Sequence, residues 1–478
     1  MTVTDAGKAS MTSSQVDLEQ SSVKCDNVSA YHGQQHHKQV DPAATDPQSS
    51  LKRAWNKLSD QVSLEGHGVA PLTQEERSDT NWTQCFTLCC GMPAWFAVWG
   101  PRLGMRQMGI ARYSYGMIGA ILPALLNLIT FVGFCAINAI LAGQVLAAVN
   151  PGSISVSVGI VIIAIVSLVI SFWIPVVFGF IMLAGFGGRH LDAAPAFNPG
   201  PATAGAVLSW ASLIVGFSIS WCGCAADFNT YMHRNVSSVK VFAYTFAGLY
   251  LPCVLIQSLG AAFAAAAMSG LVATWETAFY EQSVGGLVGV ALEPLHWFGK
   301  VLLVFFALGI ICNNAPTIYA FSLSIQIVFP FLQALPRFIF PIVGTAIYLP
   351  IGIVAASHFA AALQNFLGLI GYWAALFCTV LTIEHLVFRR GKWSAYDVDV
   401  WNSLKGLPLG VAAIFASLVG AALVVLSMDQ VWWRGPIARA VTGPEAHYGG
   451  DIAIWTGIAS TAIVYIPARW LERKTTGR

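Results

Sequence analysis

The chain has 478 residues, 56% of them hydrophobic and only 10% charged, with 16 tryptophans and 28 phenylalanines, and its mean hydropathy is +0.64. These proportions place it among all-α polytopic membrane proteins, and a net charge of +2 leaves no basis for a nucleic-acid partner. Its ten cysteines lie mostly inside apolar segments, where a thiol packs as a small hydrophobe, and Cys85, Cys89 and Cys90 lack the further ligands of a metal site.

Residues 1–83 are rich in Ser, Gln, Thr and His and contain no signal-peptide core, so they are expected to form a disordered cytosolic tail. Within it Leu51, Trp55, Leu58 and Val62 recur at helical spacing beside Lys52, Arg53 and Lys57, the pattern of a short amphipathic helix on the inner leaflet or of a transient helix. Apolar stretches follow at 85–99, 116–148, 154–187, 203–226, 239–268, 297–327, 338–356, 359–388, 408–428 and 452–468, within a transmembrane domain expected over 84–470. Residues 471–478 are expected to be a cytosolic C-terminal tail.

The basic residues between these stretches are sorted. Arg102, Arg106, Arg112, Arg234, Lys240, Arg337, Arg389, Arg390 and the Arg469–Arg478 cluster can share the cytosol, whereas the opposite loops hold mainly acidic residues such as Glu276, Glu281, Asp429 and Asp451. This positive-inside pattern sets parity, and parity exposes two faults. The stretch 85–99 would have to cross an even number of times, yet at ~1.5 Å per residue it is shorter than one span. The stretch 154–187 would need two crossings with only Pro175 as a break.

Four stretches carry polar groups that require partners in hydrocarbon. In 297–327 the adjacent amides Asn313 and Asn314 fall near the midplane, followed by Pro316, which removes a backbone donor, and Thr317. They line a binding site or bond to a neighbouring helix. In 116–148, Phe134 and Asn138 lie one turn apart, so a ring and an amide share a face. At the cytosolic end of 203–226, small residues after Trp221 permit a helix break, and the indole offers a flat face to a heteroaromatic ring. Asp227 beyond it reads as a cap or ion pair at a helix end, with proton coupling as the alternative. Glu384, near the basic end of 359–388, is expected to pair with Arg389 or His385, again with coupling as the alternative. No nucleophile motif, phosphate loop or His-rich metal set points to an enzyme.

The runs Gly66-His67-Gly68-Val69 to Asn81, Gly100-Pro101-Arg102-Leu103-Gly104-Met105-Arg106-Gln107-Met108, Ala136-Ile137-Asn138 to Gln144, Ser220-Trp221 to Tyr231, Asn313-Asn314-Ala315-Pro316, Glu384-His385-Leu386-Val387-Phe388-Arg389-Arg390-Gly391 and Trp432 to Gly450 resemble the fungal purine-cytosine permeases of the nucleobase:cation symporter-1 family. The resemblance covers nearly everything after residue 65. It implies a leucine-transporter-type fold of two inverted five-helix repeats plus two further helices, importing purine bases and cytosine with protons at the plasma membrane, both termini cytosolic and no cofactor beyond the coupling ion. It makes Trp221 the stacking ring, Asn313 and Asn314 the amides that read the base edge, and Asn138 a further polar contact. Where the family commonly has Trp and Asn, this chain has Phe134 and Thr317. A family member would also carry most of its first helix and the start of its second between Cys90 and Gly91, and a polar loop between the fourth and fifth helices at Phe172 and Trp173; both blocks are absent here. Other readings are a membrane sensor or decoy that binds without transporting, and a same-fold carrier of an amino acid or allantoin.

Overall fold

Peptide groups in hydrocarbon cannot bond to water, and the apolar runs satisfy theirs internally as helices. The computed structural model describes residues 68–85, 94–166, 174–193, 201–443 and 449–478; the amphipathic segment at 51–62, Cys89, Cys90 and the two junctions lie outside the described residues. In chain order come two short helical turns, α1 (Ala94–Ala97) and α2 (Trp99–Leu103), then α3 (Gln107–Gly119), α4 (Ile121–Ala148), α5 (Val156–Val166), α6 (Ile174–Gly187) and α7 (Pro201–Ser220). They are followed by α8 (Ser238–Met268), α9 (Ala273–Leu292), α10 (Trp297–Val328), α11 (Ile339–Ala355), α12 (Phe359–Ile383) and α13 (Val411–Ser427). A small antiparallel hairpin, β1 (Asp429–Gln430) with β2 (Trp433–Arg434), precedes α14 (Pro436–Thr442) and α15 (Ala453–Thr476).

Among the described residues five stretches are long and apolar enough to cross a membrane, the last of them, Ile339–Phe388, containing both α11 and α12. α4 runs along α10, α12 along α7, and α13 along α15. Burial ranks them: 61% of the α4 window is enclosed against 17% for α8, which makes α4 the central helix and leaves Phe246, Tyr250 and Leu255 of α8 as an outward apolar face. Where α7 crosses α12, Gly371 meets Gly216 so closely that a Cβ on Gly371 would stand 2.4 Å from the Gly216 Cα, so the crossing requires the small residue.

Several expectations are corrected. Residues 273–292, expected to be an outer loop, form α9, kinked where Ser283 takes φ 57° and ψ −150°; the acidic residues Glu276 and Glu281 that broke the apolar run lie on this helix. Residues 68–83, expected within the tail, pack on the helical domain. Val69 and Leu72 are buried, Leu72 N–H donates to the Gly104 carbonyl at 2.8 Å, and Arg77 Nη1 donates to the Pro101 carbonyl at 3.0 Å. Four apolar residues among sixteen, Val69, Ala70, Leu72 and Trp82, give no periodic signal, so composition concealed the contact. α15 continues through the expected tail to Thr476 because Arg469 and Glu472 are buried in ion pairs. α10 is continuous across Pro316.

Candidate functional site

The amides come together across the α4–α10 contact. Asn138 Nδ2 donates to Asn314 Oδ1 at 2.9 Å, and Asn314 is fully enclosed. The remaining amide donor of Asn314, Nδ2, has no partner. Asn313, on the next position of α10, is half-buried, and its carbonyl accepts the hydroxyl of buried Thr317 at 2.6 Å. That bond holds the turn that carries Pro316, whose ring nitrogen cannot donate.

One turn before Asn138 on α4, or ~6 Å along its axis, Phe134 stacks on Trp221 with ring centroids 5.2 Å apart and planes 26° off parallel. The edges of Phe217 from α7 and Phe366 from α12 close on Phe134 at 6.2 and 5.4 Å. The indole arrives there because α7 ends at Ser220 and gives way to a single 3-10 turn, Trp221–Gly223, followed by irregular chain. The small residues Cys222 to Ala226 allow that departure from the helix while all five stay buried. Trp221 Nε1 is buried and has no acceptor. Two flat rings in contact lie about 3.5–4 Å apart, and a base inserted between them needs about twice that. The observed stack has no such gap, so a heterocycle enters only by turning Phe134 aside or by lying on the other indole face.

A third polar group on this face of α4 escaped sequence reasoning. Asn127, fully buried, donates through Nδ2 to the Gly223 carbonyl at 3.1 Å and to the Ser324 hydroxyl at 3.0 Å, so it ties the break after α7 to α10. Its spacing from Phe134 and Asn138, seven and eleven residues, is the available signal, since all three fall on one helical face.

The two coupling candidates lie elsewhere. Asp227 accepts the Gln107 N–H at 2.6 Å with Oδ1, capping the N-terminus of α3, while its carbonyl accepts Arg106 Nη1 at 2.6 Å. Arg106 also donates to the Tyr319 hydroxyl at 2.8 Å and lies over the Tyr231 ring. Glu384, in the π-helical turn Glu384–Phe388, faces Arg469 at 3.0 Å and Arg389 at 3.2 Å and accepts the Tyr465 hydroxyl at 2.9 Å. His385 turns instead to Trp393, 4.2 Å between centroids, and to the Tyr396 hydroxyl at 3.2 Å. Burial pushes the Tyr396 phenol well above its usual range, so it stays protonated and shares a hydrogen bond with the imidazole. Both carboxylates thus hold structural partners at helix ends.

Comparison with known proteins adds three findings. The family model for permeases of cytosine/purines, uracil, thiamine and allantoin matches residues 84–150 and 174–435. Purine-cytosine permease FCY21 of Saccharomyces cerevisiae is 35% identical over 402 residues, covering 80% of this chain and 75% of its own, and purine-cytosine permease fcyB of Emericella nidulans is 34% identical over 398 residues, covering 80% and 76%. The solved structure of Mhp1, a nucleobase-cation-symport-1 family transporter in a closed conformation with bromovinylhydantoin bound, aligns with a TM-score of 0.49 at 16% identity, covering 85% of this chain and 96% of that one.

Proposed function

The chain belongs to the family of permeases for cytosine/purines, uracil, thiamine and allantoin, and from that premise we propose that it imports purine bases and cytosine across the plasma membrane in symport with protons. One observation carries the substrate class: the buried Asn138–Asn314 pair lies one helical turn from the Trp221–Phe134 stack, with the Asn314 Nδ2 donor unsatisfied among the described residues. Each buried donor without a partner costs about 1–3 kcal/mol. A base repays that cost, because cytosine and the purines present ring-nitrogen and carbonyl acceptors in the plane of a stacking surface. Carboxamides suit such an edge, since one amide offers a donor and an acceptor side by side. An amino-acid substrate would instead call for groups that hold a carboxylate and an ammonium.

In this reading Trp221 stacks on the base, Asn314 with Asn138 and Asn313 orients its edge, Phe134 closes over it, and Thr317 keeps α10 in register beside Pro316. The sorting of basic residues supports cytosolic termini. The shortened stretches at Cys90–Gly91 and Phe172–Trp173 are read as two lost coding blocks; the second coincides with the gap at residues 151–173 in the family match, whereas the first lies inside the matched range.

The test is uptake of radiolabelled cytosine by yeast lacking its own nucleobase permeases and expressing this chain, with unlabelled adenine, hypoxanthine, allantoin and amino acids as competitors. Competition by the purines alone supports the proposal. Competition by amino acids or allantoin overturns the substrate class, and saturable cytosine binding without uptake favours a non-transporting sensor.

A further inference from the structure

A proton-coupled carrier needs a buried group that can lose its charge, and the two carboxylates singled out in the sequence are poorly placed for that. Glu384 faces two guanidinium groups and Asp227 caps a helix, so each carboxylate is already committed to fixed partners. Asp451 differs. It is 3% exposed, and among the described residues no cationic side chain pairs with it. The charged and titratable groups around it are Tyr372 of α12 and Asp429 of β1, whose own carboxylate is engaged by Arg434 at 3.6 Å.

Asp451 also joins the elements that wall the aromatic cluster. Its carbonyl accepts the Ser212 hydroxyl at 3.0 Å, and its N–H donates to Ser209 Oγ at 3.1 Å, both on α7, which ends five and nine residues beyond Ser212 with Phe217 and Trp221. Its carboxylate accepts the hydroxyl of Tyr372, six residues along α12 from Phe366. It further accepts the Asp429 N–H at 3.1 Å and, at 3.0 Å, the Ala453 N–H that opens α15.

The hydrogen-bond inventory around it is one acceptor too rich. Gln430 Nε2 donates to the Tyr372 hydroxyl at 2.6 Å, while Gln430 Oε1 is buried with no partner, its amide pressed where a Cβ on Gly368 would stand 2.3 Å from Nε2. Adding one proton reverses the direction of the donors. The protonated carboxyl donates to the Tyr372 oxygen, the Tyr372 hydrogen swings to Gln430, and the rotated amide receives it on Oε1. The network therefore has two arrangements that differ by one proton, one leaving the amide oxygen of Gln430 without a partner and the other its amide nitrogen.

We propose that Asp451 is the residue that takes up the coupled proton, with Tyr372 and Gln430 as the positioning residues that switch with it. This rests on the proton-symport reading above. Protonation removes a buried negative charge between α7 and α12, and the pair that carries Phe217, Trp221 and Phe366 closes on the base more readily in the protonated form.

The experiment measures cytosine affinity of the purified full chain between about pH 5 and pH 8. One linked proton makes the affinity fall about tenfold per pH unit above the pKa of the site. Asp451→Asn, a permanent mimic of the neutral carboxyl, is expected to bind at all pH values as the parent binds at low pH. Tyr372→Phe removes the charge-assisted donor and moves the break in the profile about one unit alkaline while keeping the slope. An Asp451→Asn profile as steep as the parent's overturns the assignment. If that variant fails to bind even at about pH 5, an unmoved break in Tyr372→Phe overturns it instead. A flat profile in the parent overturns the proton-coupled reading itself, and this assignment with it, and so differs from the failure of Asp451 alone.

Discussion

Replacing Gly223 by alanine tests whether the break after α7 is held by Asn127. A Cβ at Gly223 would stand 1.9 Å from Asn127 Oδ1 and 2.5 Å from its Cγ, well inside contact distance. The amide must therefore leave, abandoning the Gly223 carbonyl and Ser324 hydroxyl it now joins. Overpacking costs about 1–3 kcal/mol, and stranding buried polar groups about 1–3 kcal/mol more, so Gly223→Ala is expected to destabilise the chain by about 2–6 kcal/mol. Asn127→Ala alone strands the same partners without the clash and costs about 1–3 kcal/mol. The double variant has no amide to collide with, so its cost is expected to equal that of Asn127→Ala and to fall short of the sum by at least about 1 kcal/mol. Denaturant titration of the purified proteins in micelles gives the three values. Strict additivity would refute the reasoning, because it would mean that the two residues do not meet in the folded chain.

Three further outcomes are expected. Asn138→Ala removes the amide that donates to Asn314 Oδ1 and is expected to weaken cytosine binding about tenfold, measured by equilibrium binding, with Asn138→Leu no better. Glu384→Gln leaves Arg389 without its carboxylate partner and Arg469 with Glu472 alone and is expected to cost about 3–5 kcal/mol in denaturant titration while leaving the pH profile of cytosine affinity unmoved; a moved profile would return Glu384 to the coupling machinery. Transcripts of the locus are expected to carry in-frame sequence between the codons of Cys90 and Gly91 and between those of Phe172 and Trp173. Messengers that join these residues directly remove the lost-block account.

How much could be read from the chain depended on how physics writes each feature into sequence. Long apolar runs are unambiguous: the stretch expected at 297–327 is the helix Trp297–Val328, and the break after Trp221 follows from five small residues. α9 was hidden because Glu276, Glu281 and the kink at Ser283 interrupt the run, although the helix needs no uninterrupted apolar face at a membrane edge. α3 was hidden for the opposite reason. Its Arg112 reads as a cytosolic charge, yet it is buried against the Trp401 ring and the Asn402 side chain. Asn127 and Asp451 show the limit of position-by-position reading. A lone amide in an apolar helix and an acidic residue in an outer loop look ordinary until the partners at Gly223, Ser324, Tyr372 and Gln430, remote in sequence, are brought to them.

The central claim is that a nitrogen heterocycle is held between α4 and α10 by paired carboxamides beside an indole. Equilibrium binding of radiolabelled cytosine and adenine to the purified chain and to Asn314→Ala tests it most directly. The account predicts at least about a tenfold loss of affinity for both bases, with the variant still folded in micelles. Equal affinity in the two proteins would contradict it.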